Sequence, residues 1–428
     1  MIALVMFGVA LALLLLGVPV AFAFGGVAMM FAFLTPDVGF EVFNILPFRI
    51  YGIMSNTTLM AVPLFIMMGL ILEKSGMAEK LLLSMSALFK GVRGGLGVSV
   101  VLVGAILAAS TGIVSASVVM MSVIALPLMI HAGYNKSLAS GTIAASGTLG
   151  QIIPPSIILI VLGDVMSVSV GELFMGAVLP GLLLVGLYIT YILIRAYFNK
   201  EDAPALVSAN EPLHVGKLFG AIVPPLLLMV AVLGSIFAGI ASPTESAAFG
   251  VMGGIILAFL NRTLSVSMVE YSLFETMKLT GMIFMILIGA TAFSLVFNEL
   301  GGTDVILEFF SEDIGNVWTF IGIAMLSIFI LGFFIDFIEI SFIIVPILVP
   351  VMEAFGIDPI WFGVLIAMNL QASFLTPPFG LSLFFLKGAA GNQVTTMQIY
   401  KGIIPFIILQ LFGLALVVLF PDLVFAFI

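Results

Sequence analysis

Cysteine is absent from this sequence and charge is scarce. Of the 428 residues, 8% are charged and 62% are hydrophobic, whereas about 25% of a typical soluble chain is charged. Without cysteine there can be no disulfide, no thiolate metal site and no cysteine nucleophile. The only two histidines, His131 and His214, fall in predicted loops, so we predict no metal cluster.

Motifs of several enzyme classes are also missing. No glycine-rich loop is followed by Lys-Ser or Lys-Thr, which excludes ATP hydrolysis by that route. No basic patch with interleaved aromatic residues points to nucleic acid. The first apolar stretch, residues 1–34, has no basic leader and no clear cleavage site, so we interpret it as retained membrane structure. We therefore predict a protein that is not an enzyme.

Long apolar runs fill the chain from end to end and predict a polytopic, all-α integral membrane protein in a lipid bilayer. Three runs exceed the roughly 20 residues of one span: 1–34, 97–130 and 317–352. The first, with Gly17 and Pro19 near its middle, is either one span or two short ones. The other two have polar centres, and each is either two crossings or a re-entrant hairpin.

The placement of charge predicts which side each loop faces. Suppose that the two polar-centred runs are both re-entrant hairpins. Then every Lys and Arg except Arg49 falls on one face of the membrane, and a large share of the Asp and Glu residues falls on the other face. The positive-inside rule makes the basic face cytoplasmic. Two full crossings give the same parity, so the charges predict sidedness and not re-entrance.

An inverted repeat is predicted from matched positions in the two halves. Pro127 matches Pro350 and Pro154–Pro155 matches Pro377–Pro378, both at an offset of 223 residues. The segment "LILEKSG" at 70–76 is predicted on the basic face, and the segment that weakly resembles it, "LVFNELG" at 295–301, on the acidic face. The two halves are therefore predicted to have opposite orientations in the membrane, as in secondary transporters. The predicted parts are repeat 1–198 with hairpin 97–130 and broken helix 137–163, cytoplasmic linker 199–217, and repeat 218–428 with hairpin 317–352 and broken helix 360–386.

The diprolines explain why the two helices are predicted to break. Proline in a helix interior removes a hydrogen bond and clashes with the preceding turn, and freed carbonyls in a membrane need protein or a water-filled cavity. Unwound carbonyls and half-helix ends coordinate Na⁺ in transporters. We predict one Na⁺ site in each repeat: Ser110, Thr111, Ser115, Gly150, Ile153 and Pro154 in the first, and Gly332, Asp336, Ser373, Thr376 and Phe379 in the second.

Other polar residues inside apolar segments are candidates for further roles. Asp336 and Glu339 are carboxylates deep in an apolar run, which is costly and functional by default; for Asp336 we favour ion binding or shaping of the second site. Most membrane Ser and Thr hydroxyls bond to helices and not to ions. Candidate solute contacts are Ser117, Ser156, Ser341 and Asn369.

Several stretches resemble the large membrane subunit of tripartite ATP-independent periplasmic (TRAP) transporters. They are "STGIVSASVVMMSVIALPLM", "SGTLGQIIPPSIILIVLG", "NLQASFLTPPFGLSLF" and "TTLMAVPLFIMMGLILEKSG". The resemblance covers essentially the whole chain and implies an elevator-type importer in the bacterial inner membrane, driven by a Na⁺ gradient. It implies a carboxylic-acid solute, a periplasmic substrate-binding protein and a separate small four-helix membrane subunit. The family's hairpin tip often has a Gly-Ser-Ser run, where this chain reads "TGIVSAS".

Other functions remain open from the sequence. A stand-alone divalent-anion or Na⁺/H⁺ carrier would show full uptake without a binding protein. A non-transport subunit of an ion-translocating membrane enzyme complex would carry lysines and glutamates strung through the membrane, whereas only Asp336 and Glu339 are clearly internal. A channel fits hairpins paired with broken helices less well than alternating access does.

Overall fold

The computed structural model describes residues 1–36, 38–112, 114–206 and 215–428, with backbone alone at 108–111, 215, 217, 218 and 312–314. The described residues form helices and no strand, in agreement with an all-α membrane protein. The helices of the first half are α1 Ile2–Leu15, α2 Val20–Leu34, α3 Leu46–Met54, α4 Ala61–Lys74, α5 Met77–Leu88, α6 Gly95–Thr111, α7 Val114–His131, α8 Lys136–Thr148, α9 Ile157–Val165 and α10 Val170–Phe198.

The second half is also entirely helical in its described residues. Its helices are α11 Val215–Phe237, α12 Pro243–Leu260, α13 Val266–Glu299, α14 Gly302–Glu308, α15 Val317–Leu331, α16 Phe337–Ile343, α17 Val345–Ala354, α18 Pro359–Leu375, α19 Leu381–Ala390, α20 Thr396–Leu419 and α21 Asp422–Phe425. By length and composition, six described helices can cross a membrane, or up to eight if two bent pairs count as spans.

The first apolar stretch is two helices. α1 ends at Leu15 and α2 begins at Val20. Between them Gly17 has φ +85°, a conformation that costs glycine little, and Pro19 is the N-cap of α2. Of the two alternatives that the sequence left open here, the structure therefore has the pair of short helices joined by a tight turn.

An outer helix group consists of α2, α4, α11, α12 and α13, which pack on one another. Small residues bring these helices together: a Cβ added at Gly289 of α13 would lie 2.9 Å from the Cα of Ala21 in α2. Another at Gly250 of α12 would lie 3.3 Å from Val232 of α11. Without a hydrophobic force between helices in lipid, close approach at such residues holds a membrane bundle together.

An inner helix group consists of the two helical hairpins, α6–α7 and α15–α17, the helix pairs α8–α9 and α18–α19, and the long helices α10 and α20. At its centre every residue from Leu138 to Thr148 and from Trp361 to Leu375 is buried. α8 packs on α20 and α18 packs on both α10 and α20, so each half contributes a long helix to the other half's broken helix. The two halves therefore interlock.

The start of the predicted linker is anchored to this inner helix group. Asp202 accepts hydrogen bonds from Arg195 Nε at 2.8 Å and from Asn135 Nδ2 at 3.0 Å. The backbone carbonyls of Asp202 and Ala203 accept from the backbone N–H of Asn135 and Gly94. The chain leaving α10 is thus tied to the turn before α8 and to the start of hairpin α6–α7.

Candidate functional site

The first broken helix is interrupted at its diproline. α8 ends at Thr148, one 3₁₀ turn covers Leu149–Gln151, and α9 begins at Ile157. Ser156 spans the interruption, because its Oγ donates a hydrogen bond to the carbonyl oxygen of Gln151 at 2.6 Å. One carbonyl released by the break is thereby satisfied within the protein, as a membrane interior demands.

The second broken helix repeats this arrangement. α18 ends at Leu375 and α19 begins at Leu381, and both diproline peptide bonds are cis. Ser382 Oγ donates to the carbonyl oxygen of Phe374 at 2.7 Å. Each interruption is therefore bridged by a buried serine hydroxyl that reaches back across the prolines.

Removing either bridging hydroxyl is expected to destabilise the protein. Ser156→Ala and Ser382→Ala each leave a buried carbonyl without its donor, which costs about 1–3 kcal/mol. Thermal unfolding of the purified protein measures this, with Ser55→Ala as the matched control because the exposed Ser55 hydroxyl also donates to a backbone carbonyl. Equal melting temperatures for all three variants would contradict the bridging role.

The tip of the first hairpin lies against the first break. Gly112, between α6 and α7, has φ +59°, and a Cβ added there would lie 3.1 Å from Cγ1 of Ile157, the first residue of α9. The hairpin arms also contact α8, where a Cβ on Gly147 would lie 3.0 Å from the Cα of Val118. The tip thus meets the restart of its own broken helix.

The tip of the second hairpin lies against the second break in the same way. A Cβ added at Gly332 would lie 2.7 Å from the Cβ of Ser373 near the end of α18. Beyond it, the rings of Phe334 and Phe379 pack with centroids 5.1 Å apart. Gly332, Ser373 and Phe379, predicted for one Na⁺ site, are therefore neighbours.

The two internal carboxylates cap the helix that restarts after the second tip. Asp336 is the N-cap of α16 and Glu339 is its N3 residue, in a capping box. Phe337 N donates to Asp336 Oδ1 at 2.6 Å, and Asp336 N donates to Glu339 Oε2 at 3.1 Å. Such reciprocal bonds satisfy backbone N–H groups at a helix start, which explains two carboxylates three residues apart in an apolar segment.

A cavity of about 210 Å³ lies between both tips and both breaks. The first residues of four helices line it: Val114 of α7, Ile157 of α9, Phe337 of α16 and Leu381 of α19. Helix N-termini present backbone N–H groups and the positive end of the helix dipole. The N-terminus of α16 is already taken by Asp336, so three remain to face an anion. Leu279, Met282 and Ile283 of α13 form the wall from the outer helix group.

The residues predicted for the first Na⁺ site fall in three places. The side chains of Ser110 and Thr111 lie outside the part that the structure describes. Ser115 lines the cavity. Gly150 and Pro154 are buried at the break, and Ile153 next to them packs against Gly181 of α10.

The residues predicted for the second Na⁺ site are closer together, and Asp336 also lines the cavity. Ser373 and Thr376 donate their hydroxyl protons to the carbonyls of Leu370 and Ala372, both at 2.8 Å. A hydroxyl that donates in this way keeps its oxygen lone pairs for a cation.

The four predicted solute contacts do not line the cavity of the tips. Ser156 bridges the first break, and Asn369 Nδ2 donates to the carbonyl of Met325 in α15 at 2.6 Å. Ser117 and Ser341 are buried on α7 and α16. All four are buried, and their role as solute contacts stays a prediction.

Sequence reasoning missed several polar residues at the breaks. The offset of 223 residues that matches the two diprolines does not match Ser156 with Ser382, because Ser382 lies further from its diproline than Ser156 does. Gln151 and Gln371 are buried beside the breaks, and neither amide group has a hydrogen-bond partner among the described residues. Both glutamines were visible as polar residues in apolar segments, which is the signal that could have found them.

This all-helical architecture, with two interrupted helices and two hairpin tips at one cavity, defines an integral membrane transport protein. The family model described as "Tripartite ATP-independent periplasmic transporter, DctM component" matches residues 7–423. The chain belongs to this family, as its resemblance to TRAP large subunits predicted. It is a multi-pass membrane protein of a bacterial TRAP transporter.

Curated relatives agree with this assignment, and a solved structure has a similar fold. The chain is 32% identical to the C4-dicarboxylate TRAP transporter large permease protein DctM of Pseudomonas aeruginosa, over 88% of this chain and 87% of that protein. It is 30% identical to the ectoine large permease TeaC of Halomonas elongata, over 85% and 84%. The fold is similar to the Alcanivorax borkumensis YdaH transporter, with a TM-score of 0.66, 16% identity and 91% of each chain covered.

Proposed function

We propose that this chain imports a small carboxylic acid across the bacterial inner membrane, coupled to Na⁺ entry, by an elevator motion of the inner helix group. The observation that carries the proposal is the cavity at which both hairpin tips and both helix breaks meet. A cavity enclosed by discontinuous helices is where transporters hold substrate and coupling ions.

The helix starts at the cavity support an anionic solute. α7, α9 and α19 begin there with 18, 9 and 10 residues, and none of the three has an acidic residue in its first turn. The free N–H groups and dipoles at such ends favour negative charge. A carboxylate fits them without an arginine, which the cavity lacks among its described lining residues.

The chemistry of the breaks supports Na⁺ as the coupling ion. The described residues contain no group of three His, Cys, Asp or Glu side chains that would hold a transition metal. They offer hydroxyl and carbonyl oxygens at Ser115, Ser373 and Thr376, together with the amide oxygens of Gln151 and Gln371. Such neutral oxygen ligands, with Asp336 at the second tip, suit a hard monovalent cation.

The packing supports motion of one group against the other. The inner helix group is interlocked by contacts from both halves, whereas its cavity is closed on one side by α4 and α13 of the outer helix group. One tip and one break come from each half of the chain, and if the halves are the inverted repeat that the sequence predicts, a single rigid movement would expose the cavity on alternate sides.

Partners follow from the family. Its description is of a tripartite transporter, and we propose a small four-helix membrane subunit and a periplasmic substrate-binding protein as the other two parts. A stand-alone divalent-anion or Na⁺/H⁺ carrier is the competing function. Proteoliposomes of this chain alone, compared with all three proteins, separate the two.

Proteoliposome uptake tests the proposal directly. With both partners present, an inward Na⁺ gradient is expected to drive accumulation of an acid such as succinate, sialic acid or a sugar acid, and a K⁺ gradient is not. Full uptake by this chain alone would favour the stand-alone carrier. Uptake of the same size with and without the Na⁺ gradient would refute the coupling.

A further inference from the structure

The long helix α13 borders two separate spaces on the inner helix group. Towards the basic end of the molecule, Leu279, Met282 and Ile283 line the cavity of the tips. Towards the acidic end, Thr291, Ser294 and Asn298 line a second cavity of about 280 Å³. α13 has 34 residues and at 1.5 Å per residue extends about 50 Å, which is enough for two levels along one membrane span.

The two levels lie on the same face of α13. Ile283 and Ser294 are eleven residues apart, which is three helical turns with a remainder of about 20° and a rise of about 16 Å. Leu279 and Ala290 have the same spacing, and Ala290 also lines the second cavity. If the inner helix group slides straight along this face by three turns, its tip cavity faces the second set of α13 side chains in place of the first set.

The inner helix group supplies walls to both cavities from the same elements. Ile157 at the start of α9 lines the first cavity, and Asp164 near its end lines the second. The second hairpin contributes Asp336 to the first, and Phe342 and Pro346 to the second. Sliding this group towards the acidic end would bring its tip cavity opposite Thr291 and Ser294.

The chemistry of the α13 face changes between the levels. The α13 side chains that line the first cavity, those of Leu279, Met282 and Ile283, include no hydrogen-bond donor. At the other level, Asn298 Oδ1 accepts from the Thr303 hydroxyl, which leaves the Asn298 amide N–H groups for another acceptor. Within the described part of the chain, Ser294 and Arg49 make no side-chain hydrogen bond or ion pair, and both line the second cavity.

Arg49 has a place in this arrangement that its sequence position alone does not explain. It is the one basic residue that the charge pattern predicts on the face with the acidic loops. Asp164 shares the cavity, but its Oδ1 accepts from Asn56 Nδ2 at 2.5 Å. A guanidinium beside a hydroxyl and an amide is a set that recognises carboxylate oxygens.

We propose that Ser294 and Arg49 form the fixed wall of the outward-facing solute site and bind the solute carboxylate only at that level. At the level of Ile283 the same solute meets an apolar wall, so it is held more weakly and released. Differential contacts of this kind are what allow a ligand to bias a two-state protein. The inference rests on the elevator import proposed above and assigns it residues outside the inner helix group.

Cross-linking tests the sliding step without any solute, since the chain has no native cysteine. Ile338 of the second hairpin lines the first cavity with Ile283. The pairs I338C/I283C and I338C/S294C are treated with a short bifunctional thiol reagent in membranes. Both pairs are expected to cross-link, and I338C with S267C, at the exposed basic end of α13, is not. A cross-link with Ile283 alone overturns the proposal.

Uptake tests the carboxylate contact, with succinate as the solute and saturating loaded binding protein. Loss of hydrogen bonds to a charged group predicts that Ser294→Ala combined with Arg49→Gln lowers the initial rate about tenfold. Ser267→Ala combined with Arg93→Gln, both exposed and away from the cavities, is expected to match the unaltered protein. Equal rates for the two double variants overturn the proposal.

Two further readouts separate the possible failures. If Arg49→Gln weakens the affinity for the binding protein and leaves the rate at saturation unchanged, Arg49 belongs to the docking surface and its part of the proposal is wrong. If the unaltered protein shows no Na⁺-driven uptake, the proposed function fails. The cross-links then still decide whether Ser294 meets the tip cavity.

Discussion

Replacing Gly332 with alanine is expected to lower Na⁺-dependent uptake about tenfold or more. A Cβ at this position would lie 2.7 Å from the Cβ of Ser373 and 3.2 Å from the carbonyl oxygen of Ile328. Neither atom is the far end of a flexible side chain, so the tip of the second hairpin must move off the second break. Overpacking of this kind costs about 1–3 kcal/mol, and 1.4 kcal/mol is a factor of ten.

The backbone itself does not cause this effect, because Gly332 has φ −65°, which alanine adopts readily. Gly322→Ala is the matched control: it lies in α15, the helix of which Gly332 is the C-cap, and a Cβ added there has nothing within 4 Å among the described residues. Proteoliposome uptake at equal protein levels compares the two variants. Equal uptake by both would show that close contact of tip and break is unnecessary.

Replacing Gly402 with alanine is expected to give the largest loss of stability of any change considered. Its Cβ would lie 2.7 Å from the carbonyl carbon of Ser137 and 3.1 Å from the backbone N of Gly141. These are backbone atoms, so α20 and α8 must separate. Because α8 is buried from Leu138 to Thr148, the separation opens the centre of the inner helix group, at an expected cost of about 3 kcal/mol.

Thermal unfolding of the purified protein measures this loss. Gly186→Ala is its control, since Gly186 lies inside the long helix α10 with nothing within 4 Å of an added Cβ. Alanine there is expected to be neutral or slightly stabilising, because it has the higher helix propensity. Similar melting temperatures for the two variants would mean that the α8–α20 crossing tolerates separation and that the interlock is loose.

The helix breaks were predictable because their signal is local. Two adjacent prolines weaken a helix, because they remove hydrogen bonds and clash with the preceding turn, and Pro154–Pro155 and Pro377–Pro378 marked both interruptions. The signal is not sufficient by itself, because Pro224 and Pro225 lie inside the continuous helix α11. Gly17 and Pro19 likewise marked a turn, although the sequence alone did not decide between one helix and two. Composition sufficed for the fold class, since lipid requires every backbone group to be satisfied within helices or closed structures.

The site was harder to predict because its parts are distant in sequence and their orientation depends on packing. Ser156 and Ser341 are equally polar in the sequence. In the structure Ser156 bridges a break, and the hydroxyl of Ser341 is buried with no hydrogen-bond partner among the residues that the structure describes. The capping of α16 by Asp336 and Glu339 follows a recognisable Asp-x-x-Glu spacing, but the depth of these residues in an apolar run directed attention to ion binding.

The outer wall of the cavity could not be predicted either. The matched positions of the two halves do not connect α13 to the hairpin tips, since α13 belongs to the outer helix group. Its polar residues Thr291 and Ser294 line the second cavity, whereas Ile283 lines the cavity of the tips. Only the packed structure shows that one helix face lines both cavities. The sequence shows the helical pattern of α13 but does not show which elements pack against it.

Hydrogen exchange in Na⁺ compared with K⁺ tests most directly the claim that the two breaks and their tips hold the coupling ion. The measurement uses the protein in nanodiscs and follows backbone amides in peptides over residues 148–158, 328–340 and 372–384, with α12 as internal reference. Slower exchange in Na⁺ at both breaks and at the second tip, with no change in α12, is the predicted result. Identical exchange in the two salts at both breaks would contradict the account.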